Sequence, residues 1–418
     1  MSKTRIIAAL DIGSSKITTL IGQVLTDQVT FENTINIIGA ASSPSKGVKK
    51  GQIVDIEQAV EATIVSVEAA ERMAGFNLNS AYVSVGGGHI ASQNSTGVVA
   101  ISDPQGEVGP PDVNRVIEAA RAISLPTSRQ IIHVMPREFI VDGEAGVKDP
   151  VGMTGVRLEV ETHLVTASQA SLKNLTKTIQ EVGIAIEENV FSGLASSIST
   201  LSETEKELGC VLVDIGGGTT SIAAFVDGAL SYSGTIPVGA KNVTNDLAIG
   251  LRVSLDTAEK IKLRLSEKPK ETDGKSDLIE ITDESGQTKK VSKRTLTEGI
   301  IRPRLNEIFT MIRLDLEKAG IINRIPSGAI ITGGGAQTVG VMDSVKRMLS
   351  VPVRIGVPGG VGGLVDDIIN PAYSTPVGLI LYGASRNPTG GRDGGRKLKL
   401  PKSGILGRVV DSIKDLLP

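Results

Sequence analysis

VLVDIGGGTTSIAAF, residues 211–225, places one Asp, three glycines and two threonines between two apolar runs. AALDIGSSKITTLIG, residues 8–22, repeats this plan with Asp-Ile-Gly, small hydroxyl residues and a second apolar run. Two apolar runs joined by a short Gly-rich stretch predict a β-hairpin. Because two matched copies occur about 200 residues apart, the sequence predicts a duplicated fold with one such turn in each half.

The two predicted turns carry groups that suit a phosphate chain. Backbone N–H groups converge in a Gly/Ser/Thr turn, where no Cβ blocks the approach of a ligand. Asp11 and Asp214 would repel phosphate, so we expect them to act through Mg²⁺, mostly by way of its waters. A lone Gly-rich turn is most often only a hairpin turn, but two copies favour a clamp that holds phosphate between the halves. The candidate donors are Gly13, Ser14, Ser15, Lys16, Gly216, Gly217, Gly218, Thr219 and Thr220.

The composition limits the classes of protein that this chain can represent. At 418 residues it exceeds what one hydrophobic core usually organises, so two or more domains are expected. The formal net charge of −2 argues against a nucleic-acid binder that relies on positive charge. A single cysteine, Cys210, cannot form an internal disulfide and fits a reducing cytoplasm. No apolar stretch approaches the roughly 18 residues of a membrane span, and Asp11 comes too early for a secretory signal.

The apolar pattern predicts mixed α/β structure, in which helical, strand-rich and charged segments follow one another along the sequence. A helical stripe begins at residue 56 and stops at Gly75. A charged stretch, 266–293, predicts either a solvated hairpin or partial disorder. The predicted segments are 1–84 (first lobe), 85–165 (strand-rich inserted small domain), 166–198 (first lobe), 199–365 (second lobe, with a charged subdomain at about 243–325), 366–385 (return to the first lobe), 386–402 (basic linker) and 403–418 (helix).

Other segments are candidates for the rest of a nucleotide site. IITGGGAQ, residues 330–337, predicts a buried strand whose glycines Gly333, Gly334 and Gly335 could lie flat against a base or ribose. Glu259 and Lys262 share one helical face, although such pairs are usually only solvated. The sequence has no GxxxxGK[ST] loop and no GxGxxG after a strand, which argues against P-loop and Rossmann folds. The three histidines, His89, His133 and His163, have no metal-ligand spacing and are predicted to be structural.

The last part of the sequence predicts a membrane-surface helix. From Arg386 onward there are eight Lys or Arg and three Asp, a balance that favours anionic lipid. Ser403 is a suitable N-cap for a helix with all its apolar residues on one side. This helix is too short to span a bilayer but suits its interface; the alternative is a helix that docks on its own domain. The apolar residues are Ile405, Leu406, Val409, Val410, Ile413, Leu416 and Leu417.

The motifs together resemble a known superfamily. DIGSSKI, DIGGGTT and ITGGGA, in this order, resemble the two phosphate loops and the adenosine motif of the actin/Hsp70/sugar-kinase superfamily. A finer resemblance, to the FtsA family of bacterial cell division proteins, rests on KGQIVDIEQAVEAT, GLASS, ELGCVLVDIGGGTT, IPVGAKNVTNDLA, TAEKIKLRLS, PVRIGVP and YSTPVGLILYG. It covers residues 5–384 and the last fifteen. It implies an α/β, actin-like two-lobe ATPase fold of duplicated ribonuclease-H-like domains, with the 85–165 segment as an inserted small α+β subdomain.

The resemblance also implies site residues and a slow reaction. It makes Glu259 and Lys262 ribose contacts. Ser192 stands near the position where members that hydrolyse ATP readily often have Glu or Gln, so at most slow ATPase activity is expected. The sequence departs from the family pattern at two further positions: Ala240 stands where relatives commonly have Gly, and Pro376 where they commonly have Ala. Either residue could alter the affinity for nucleotide. The remaining implied nucleotide contacts are Gly239, Lys241, Asn242 and Gln337.

The implied function is that of an adaptor in cell division. Family members polymerise on the cytoplasmic face of the cell membrane at the septum, bind the C-terminal tail of the tubulin-like FtsZ and recruit later division proteins. VSKRTLTEGIIRPRLNEI matches the family at the tail-binding surface, which makes Lys293, Arg294 and Arg304 candidate tail contacts. The implied ligands are ATP, Mg²⁺ and anionic lipid, without nucleic acid.

Three other classes fit part of the pattern. A sugar or small-molecule kinase would share the ATP loops, but it needs a carboxylate base for its substrate and has no use for the tail. A pilus-assembly relative of FtsA usually lacks the detached helix and recruits a different peptide. An Hsp70-type chaperone needs a peptide-binding domain, for which the about 33 residues after the predicted body are too few.

Overall fold

The structure is a computed structural model that describes residues 3–26, 33–267, 277–282, 288–364 and 366–386. Unit 1 contains the described residues of 1–85, 170–200 and 357–418, and unit 2 contains those of 86–169 and 201–356. Within these described ranges, no helix is both long enough and apolar enough to cross a membrane. The predicted helix 403–418, with its seven apolar residues, and the linker beyond Arg386 lie outside the described residues.

Strands and helices alternate along the chain. The strands are β1 (Lys3–Ile12), β2 (Lys16–Thr26), β3 (Asn33–Pro44), β4 (Val48–Lys49), β5 (Gln52–Ile53), β6 (Ser80–Val85), β7 (Ala91–Ala100), β8 (Arg129–Val141), β9 (Glu144–Val147), β10 (Arg157–Ser168), β11 (Ala185–Phe191), β12 (Cys210–Ile215), β13 (Thr220–Val226), β14 (Ala229–Ile236), β15 (Leu278–Thr282), β16 (Thr288–Ser292), β17 (Ala329–Thr332), β18 (Val353–Ile355) and β19 (Gly362–Gly363).

The helices are α1 (Ile56–Ala74), α2 (Pro110–Arg121), α3 (Gln169–Glu181), α4 (Ser192–Thr200), α5 (Glu203–Leu208), α6 (Ala240–Leu251), α7 (Leu255–Ser266), α8 (Lys293–Leu296), α9 (Arg302–Lys318), α10 (Val341–Leu349) and α11 (Ser374–Ser385). A π-helical turn (Thr297–Ile301) joins α8 to α9, and two 3₁₀ turns lie at Gly334–Gln337 and Pro371–Tyr373. The mixed α/β structure predicted from the sequence is confirmed. β15 and β16 pair antiparallel, as the first of the two alternatives for the charged stretch requires; residues 268–276 and 283–287 of that stretch lie outside the described residues.

Unit 1 is built on a six-stranded sheet with the order β11-β6-β1-β2-β3-β19. β1 and β2 form the first predicted hairpin, with Asp11 opposite Thr18, and β1 also pairs in parallel with β6. α1 begins where the Asp55 carboxylate accepts a hydrogen bond from the Gln58 N–H (3.1 Å). It ends at Gly75, whose φ of 81° is a left-handed conformation that glycine adopts without strain. The predicted stop at Gly75 is therefore confirmed.

Unit 2 contains a five-stranded sheet with the order β14-β13-β12-β17-β18. β12 and β13 form the second predicted hairpin, with Asp214 opposite Ser221, and β12 pairs in parallel with β17. In both units, an aspartate near the end of a strand therefore has an antiparallel hairpin partner on one side and a parallel strand on the other. This repetition agrees with the predicted duplication. The aliphatic core of unit 2 also includes α6, α9 and α10 and has Phe309 among its largest buried side chains.

Residues 86–169 form a small α+β layer within unit 2. The strand order is β7-β10-β8-β9, and α2 packs on this sheet around a core that includes Val116, Phe139 and Leu158. The same sheet contacts β14 through β7, β8 and β10. An inserted subdomain is thus present where the strand-rich texture of the sequence predicted one.

His163 links this inserted layer to β14. It is only 1% exposed, and its ring nitrogens lie 2.7 Å from the Asn94 Oδ1 and 3.0 Å from the Ser233 Oγ. The Ser92 hydroxyl donates to the Ser233 carbonyl (2.7 Å) and accepts from the Ser233 N–H (3.1 Å). Burial, with a smaller contribution from the Arg137 charge, lowers the pKa of His163 to about 3. His163 is therefore a neutral structural residue near neutral pH, as predicted.

The depressed pKa of His163 predicts a loss of stability in mild acid. The unfolded chain protonates this residue near its ordinary pKa of 6.5, whereas the folded chain resists protonation down to about 3. Stability is therefore retained above the unfolded pKa and falls by up to about 1.4 kcal/mol per pH unit below it. Urea unfolding followed by circular dichroism between about pH 7.5 and pH 5.5 measures this slope.

The variant His163→Gln is the matched control, because it keeps a polar side chain but cannot titrate. We expect it to be less stable than the parent near neutral pH and to approach the parent as the pH falls. Other titrating groups, including His89, are present in both proteins and cancel in the difference. A difference in unfolding free energy that stays constant over this pH range would show that His163 does not titrate as described.

Candidate functional site

The turn between β12 and β13 is bound to the first residues of α6. The Gly216 N–H donates to the Thr219 carbonyl (2.8 Å), which closes the turn. The Ala240 N–H donates to the Gly216 carbonyl (2.9 Å), and the Lys241 N–H donates to the Gly217 carbonyl (2.8 Å). Two of the backbone donors that a helix leaves unpaired at its start are thus satisfied by the turn, which fixes the turn against the N-terminus of α6.

Side chains on both partners strengthen this junction. The Asn242 Oδ1 accepts a hydrogen bond from the Gly239 N–H (3.1 Å), so it caps the start of α6. The Thr220 hydroxyl, by contrast, donates to the Val238 carbonyl (2.8 Å). Thr220, one of the two threonines predicted to donate to phosphate, therefore has a contact with the protein backbone.

Glycines allow three chain segments to meet at this point. A Cβ on Gly239 would lie 2.5 Å from the Gly216 carbonyl oxygen and 2.7 Å from that of Gly217. A Cβ on Gly333, which has a φ of 81°, would overlap the Asp214 carboxylate, and one on Gly335 would overlap the Ile215 side chain. The structure thus brings together three of the predicted motifs within unit 2: the Asp-Ile-Gly turn, the start of α6 and the Gly333–Gly335 turn.

The two predicted metal-directed aspartates differ in their surroundings. Asp214 is 8% exposed and lies at the junction of the three segments. Asp11 is half-buried in unit 1, where its Oδ1 accepts a hydrogen bond from the Ser84 hydroxyl (2.7 Å). The Ser84 oxygen also accepts from the Ile12 N–H (3.2 Å). Ser84 was missed by sequence reasoning, although it lies in β6 just before a glycine run.

The first turn is bound to a different neighbour, the segment that contains β4 and β5. The Gly13 N–H donates to the Lys16 carbonyl (3.1 Å) and closes the turn. The Ser14 Oγ accepts from the Gly51 N–H (2.9 Å), and the Ser15 carbonyl accepts from the Ser45 N–H (3.0 Å). Ser14 is 8% exposed, so it serves as a structural acceptor as well as a candidate phosphate donor.

The candidate ribose pair, Glu259 and Lys262, joins α7 to α6. Lys262 is 7% exposed, and its ammonium lies 2.7 Å from the Glu259 Oε2 and 2.9 Å from the Thr244 Oγ1. The Thr244 hydroxyl donates to the Glu259 carboxylate (2.5 Å). On the same helix, the Ser266 Oγ accepts from the Val339 N–H (3.1 Å), just beyond the Gly334–Gln337 turn. The Glu, Lys and Ser of TAEKIKLRLS therefore all have structural contacts.

The three basic candidates for peptide binding are not equivalent. The Arg304 guanidinium donates twice to Asp246 (2.6 and 2.9 Å) and once to Glu307 (2.5 Å), and the Asp246 hydrogen bond raises the Arg304 pKa. Lys293 and Arg294 instead begin α8, where Arg294 is exposed and Lys293 is half-buried. The basic side chains of α8, Lys293 and Arg294, are therefore more accessible to a peptide than the paired guanidinium of Arg304.

In the described ranges, no group of three or more His, Cys, Asp or Glu side chains is arranged to hold a metal ion. Ser192, which stands near the expected position of a water-orienting side chain, begins α4 and is followed by Gly193. Gln337 ends the 3₁₀ turn after β17. The buried strand predicted within residues 330–337 is β17, which ends at Thr332, before Gln337.

The fold is shared with solved structures of low sequence identity. The PilM-PilN type IV pilus biogenesis complex matches 91% of this chain and 99% of the other chain with a TM-score of 0.63 and 15% identity. MreB5 of Spiroplasma citri bound to ADP matches 91% and 96% with a TM-score of 0.52 and 14% identity. The protein therefore has the actin-like ATPase fold, and the predicted fold class is confirmed.

Sequence relatives define the family more narrowly. Residues 87–166 match the domain described as "SHS2 domain inserted in FTSA", and residues 211–378 match "Cell division protein FtsA". The proteins of that name from Pseudomonas aeruginosa (38% identity, 92% of this chain and 91% of the other) and Bacillus subtilis (38%, 99% and 90%) are similar over nearly their whole length. The chain belongs to the FtsA family of cell division proteins.

The close packing around Gly239 predicts that a methyl group there is costly. Gly239→Ala places a Cβ against two carbonyl oxygens of the turn, and overpacking of this kind typically destabilises by about 1–3 kcal/mol. Urea unfolding, read as the change in unfolding free energy, measures the effect. Gly299→Ala is the matched control, because nothing lies within 4 Å of its added Cβ. Equal stability of the two variants would contradict the steric role of Gly239.

Proposed function

We propose that this protein is an ATP-binding, actin-like adaptor that attaches FtsZ to the cytoplasmic membrane at the division septum. The observation that carries the proposal is the junction of the Asp214 turn, the α6 N-terminus and the Gly333 turn, in a chain of the FtsA family. Self-assembly into actin-like polymers and recruitment of later division proteins belong to the same proposal.

The residues at this junction fit a nucleotide. Gly216, Gly217 and Gly218 have no side chain that could block a phosphate, and the positive end of the α6 dipole favours a nearby anion. Glu259 and Lys262 lie on α7, which is fixed to α6, and are proposed to bind the ribose. Two solved structures of similar fold, both of MreB5 from Spiroplasma citri, are bound to ADP and to AMPPNP. Nucleotide binding by an actin-like fold therefore supports the proposal.

Mg²⁺ is proposed to accompany the nucleotide, because it would offset the repulsion that a phosphate would meet from the carboxylate of Asp214 or of Asp11. Mg²⁺ keeps several waters and uses few carboxylates when phosphates are its other ligands. Gly13, Ser14, Ser15 and Lys16 are the donors of the first turn. The hypothesis that both turns hold one phosphate chain stays a prediction.

Slow turnover is proposed for the same site. Ser192 has a hydroxyl where a Glu or Gln would orient the attacking water, and its neighbours in the chain are Phe191 and Gly193. Placed proton-transfer groups typically contribute about 10²- to 10⁴-fold to a rate. We therefore propose that the function of this protein depends on ATP binding and does not require rapid hydrolysis.

The FtsZ tail is proposed to bind beside α8. Arg294 is exposed and Lys293 precedes it, so this helix offers positive charge to a peptide. Arg304 is instead proposed to act indirectly, because its ion pairs with Asp246 and Glu307 fix α9 against α6.

The membrane anchor is proposed to be the segment 403–418. Arg386, the last described residue, is held to the body of unit 1 at the end of α11. Its guanidinium lies 3.3 Å from Glu188 and 4.7 Å from the Tyr382 ring, and its carbonyl accepts a hydrogen bond from Arg5 (2.7 Å). The basic segment that follows therefore starts from a fixed point, which suits a tether between a body and an anionic surface.

Removal of the Asp214 carboxylate tests the nucleotide site. Asp214→Ala should weaken binding of Mg·ATP at least tenfold, or about 1.4 kcal/mol, because a metal-directed carboxylate is lost. Calorimetric titration of the full chain with ATP, with and without Mg²⁺, measures this. Asp256→Ala is the matched control, since it removes the same charge from an exposed position on α7. Unchanged affinity in Asp214→Ala would contradict the proposed role.

Two charges in the apolar side of the tail test the membrane anchor. Val409→Glu with Ile413→Glu should release the protein from anionic liposomes, because each buried aliphatic side chain contributes up to about 1.5–3 kcal/mol. Co-sedimentation measures the bound fraction. Gly404→Glu with Gly407→Glu adds the same charge to the polar side of the predicted helix and should retain most of the binding. Pelleting of the Val409/Ile413 variant at the parent level would rule out this anchor.

A further inference from the structure

Lys16 makes an aromatic contact that the predicted phosphate site does not explain. It follows the first turn at the start of β2, and its ammonium lies 3.5 Å from the centroid of the Tyr373 ring. Tyr373 is far away in sequence, at the end of the 3₁₀ turn before α11. Both residues belong to unit 1. A cation at this distance over a ring face is attracted by the ring quadrupole.

The backbone around Tyr373 is held from both sides. The Asn370 Oδ1 accepts from the Ala372 N–H (2.9 Å), and the Tyr373 N–H donates to the Asn370 carbonyl (2.9 Å). The next residue, Ser374, begins α11 and accepts a hydrogen bond at its carbonyl from the Ser199 hydroxyl (2.7 Å). The ring is therefore carried by a fixed turn.

α11 packs closely against α4, and their backbones approach each other at Gly378 and Ala195. A Cβ on Gly378 would overlap the Ala195 carbonyl, and the Thr375 and Ser196 hydroxyls are 2.8 Å apart. The backbone that carries the ring is thus fixed next to a buried helix. This makes Tyr373 suitable for setting the position of a flexible lysine.

The charges that face Lys16 leave it available to an anion. Burial lowers the pKa of the Lys16 ammonium, and Tyr373 and Asp11 oppose this effect. In the part of the chain that the structure describes, no ion pair of Lys16 with a carboxylate is present within 4.0 Å. An ammonium has three donors, and a ring on one side does not occupy all of them.

The second turn has no comparable cation. Counted from the aspartate of each Asp-Ile-Gly, the position of Lys16 is occupied by Thr219 in the other turn. Of the two motifs, DIGSSKI contains a formal positive charge, on Lys16, and DIGGGTT does not. The position of the Lys16 ammonium therefore affects how the first turn can bind an anionic ligand.

We propose that Tyr373 is a positioning residue, which holds the Lys16 ammonium in place for the phosphates of a bound nucleoside triphosphate. This inference rests on the proposed ATP-binding function. It assigns to the segment before α11 a role in binding that acts through Lys16, without contact between Tyr373 and the nucleotide.

A double-mutant cycle on the full chain tests this role. The affinity for a fluorescent ATP analogue with Mg²⁺ is measured for the parent, Tyr373→Leu, Lys16→Met and the double variant. Tyr373→Leu should weaken binding about 3- to 30-fold, from the usual strength of a cation–π contact. In the Lys16→Met background, Tyr373→Leu should cause no further loss, because the group through which it acts is absent.

Tyr373→Phe supplies the conservative variant, since it keeps the ring face and removes only the hydroxyl. It should bind the analogue within about twofold of the parent, a difference well below 1.4 kcal/mol. The pH profile adds a second readout. Because the Tyr373 side chain, through its phenol group, raises the pKa of Lys16, the affinity of Tyr373→Leu should decline at a lower pH than that of the parent as the ammonium loses its proton, and Lys16→Met should lack this decline.

The outcomes separate this inference from the function on which it rests. A parent protein that does not bind the analogue overturns the ATP-binding proposal itself. A parent that binds, together with equal losses from Tyr373→Leu in both backgrounds, reduces Tyr373 to a structural residue and overturns the inference alone. Equal weakening by Tyr373→Phe and Tyr373→Leu also overturns it, because the ring face would then be irrelevant.

Discussion

The close approach of three backbone segments at Asp214 is the constraint on which unit 2 depends. The turn after β12, the start of α6 and the turn after β17 meet where Cβ atoms on Gly239, Gly333 and Gly335 would collide with neighbouring atoms. Helix α6 takes its place because its first N–H groups pair with carbonyls of the turn. Gly239, Gly333 and Gly335 are thus required first by packing. The same absence of side chains makes the junction suitable for a phosphate-bearing ligand.

Several charged residues of the candidate site also hold secondary structure together. Lys262 joins α7 to α6 through Glu259 and Thr244, and Arg304 joins α9 to α6 through Asp246. The charges of Lys262 and Arg304 are therefore partly neutralised by the carboxylates of Glu259 and Asp246. A ligand at the start of α6 would lie beside a helix that is connected to two others.

Local patterns predicted much of the fold, and long-range partners could not be predicted from them. The two hairpins, the stop of α1 at Gly75 and the strand before Gly333 follow from apolar periodicity and glycine positions. The Ser84 contact with Asp11, the Gly51 contact with Ser14 and the Tyr373 contact with Lys16 join residues far apart in sequence, for which no spacing rule exists. Arg304 shows the same limit, because the family resemblance made it a candidate tail contact, whereas its carboxylate partner Asp246 lies on another helix. The family resemblance supplied the functional hypothesis that composition and spacing left open.

Attachment of FtsZ to a lipid surface is the central property of the proposed adaptor, and co-sedimentation measures it most directly. FtsZ is mixed with anionic liposomes in the presence of Mg·ATP, with or without this protein, and the pelleted FtsZ is quantified. A parallel sample contains FtsZ without its C-terminal tail. The account predicts that FtsZ pellets with the liposomes only when this protein is present and only when the tail is intact. FtsZ that stays in the supernatant in the presence of the membrane-bound protein, or tailless FtsZ that pellets equally well, would contradict it.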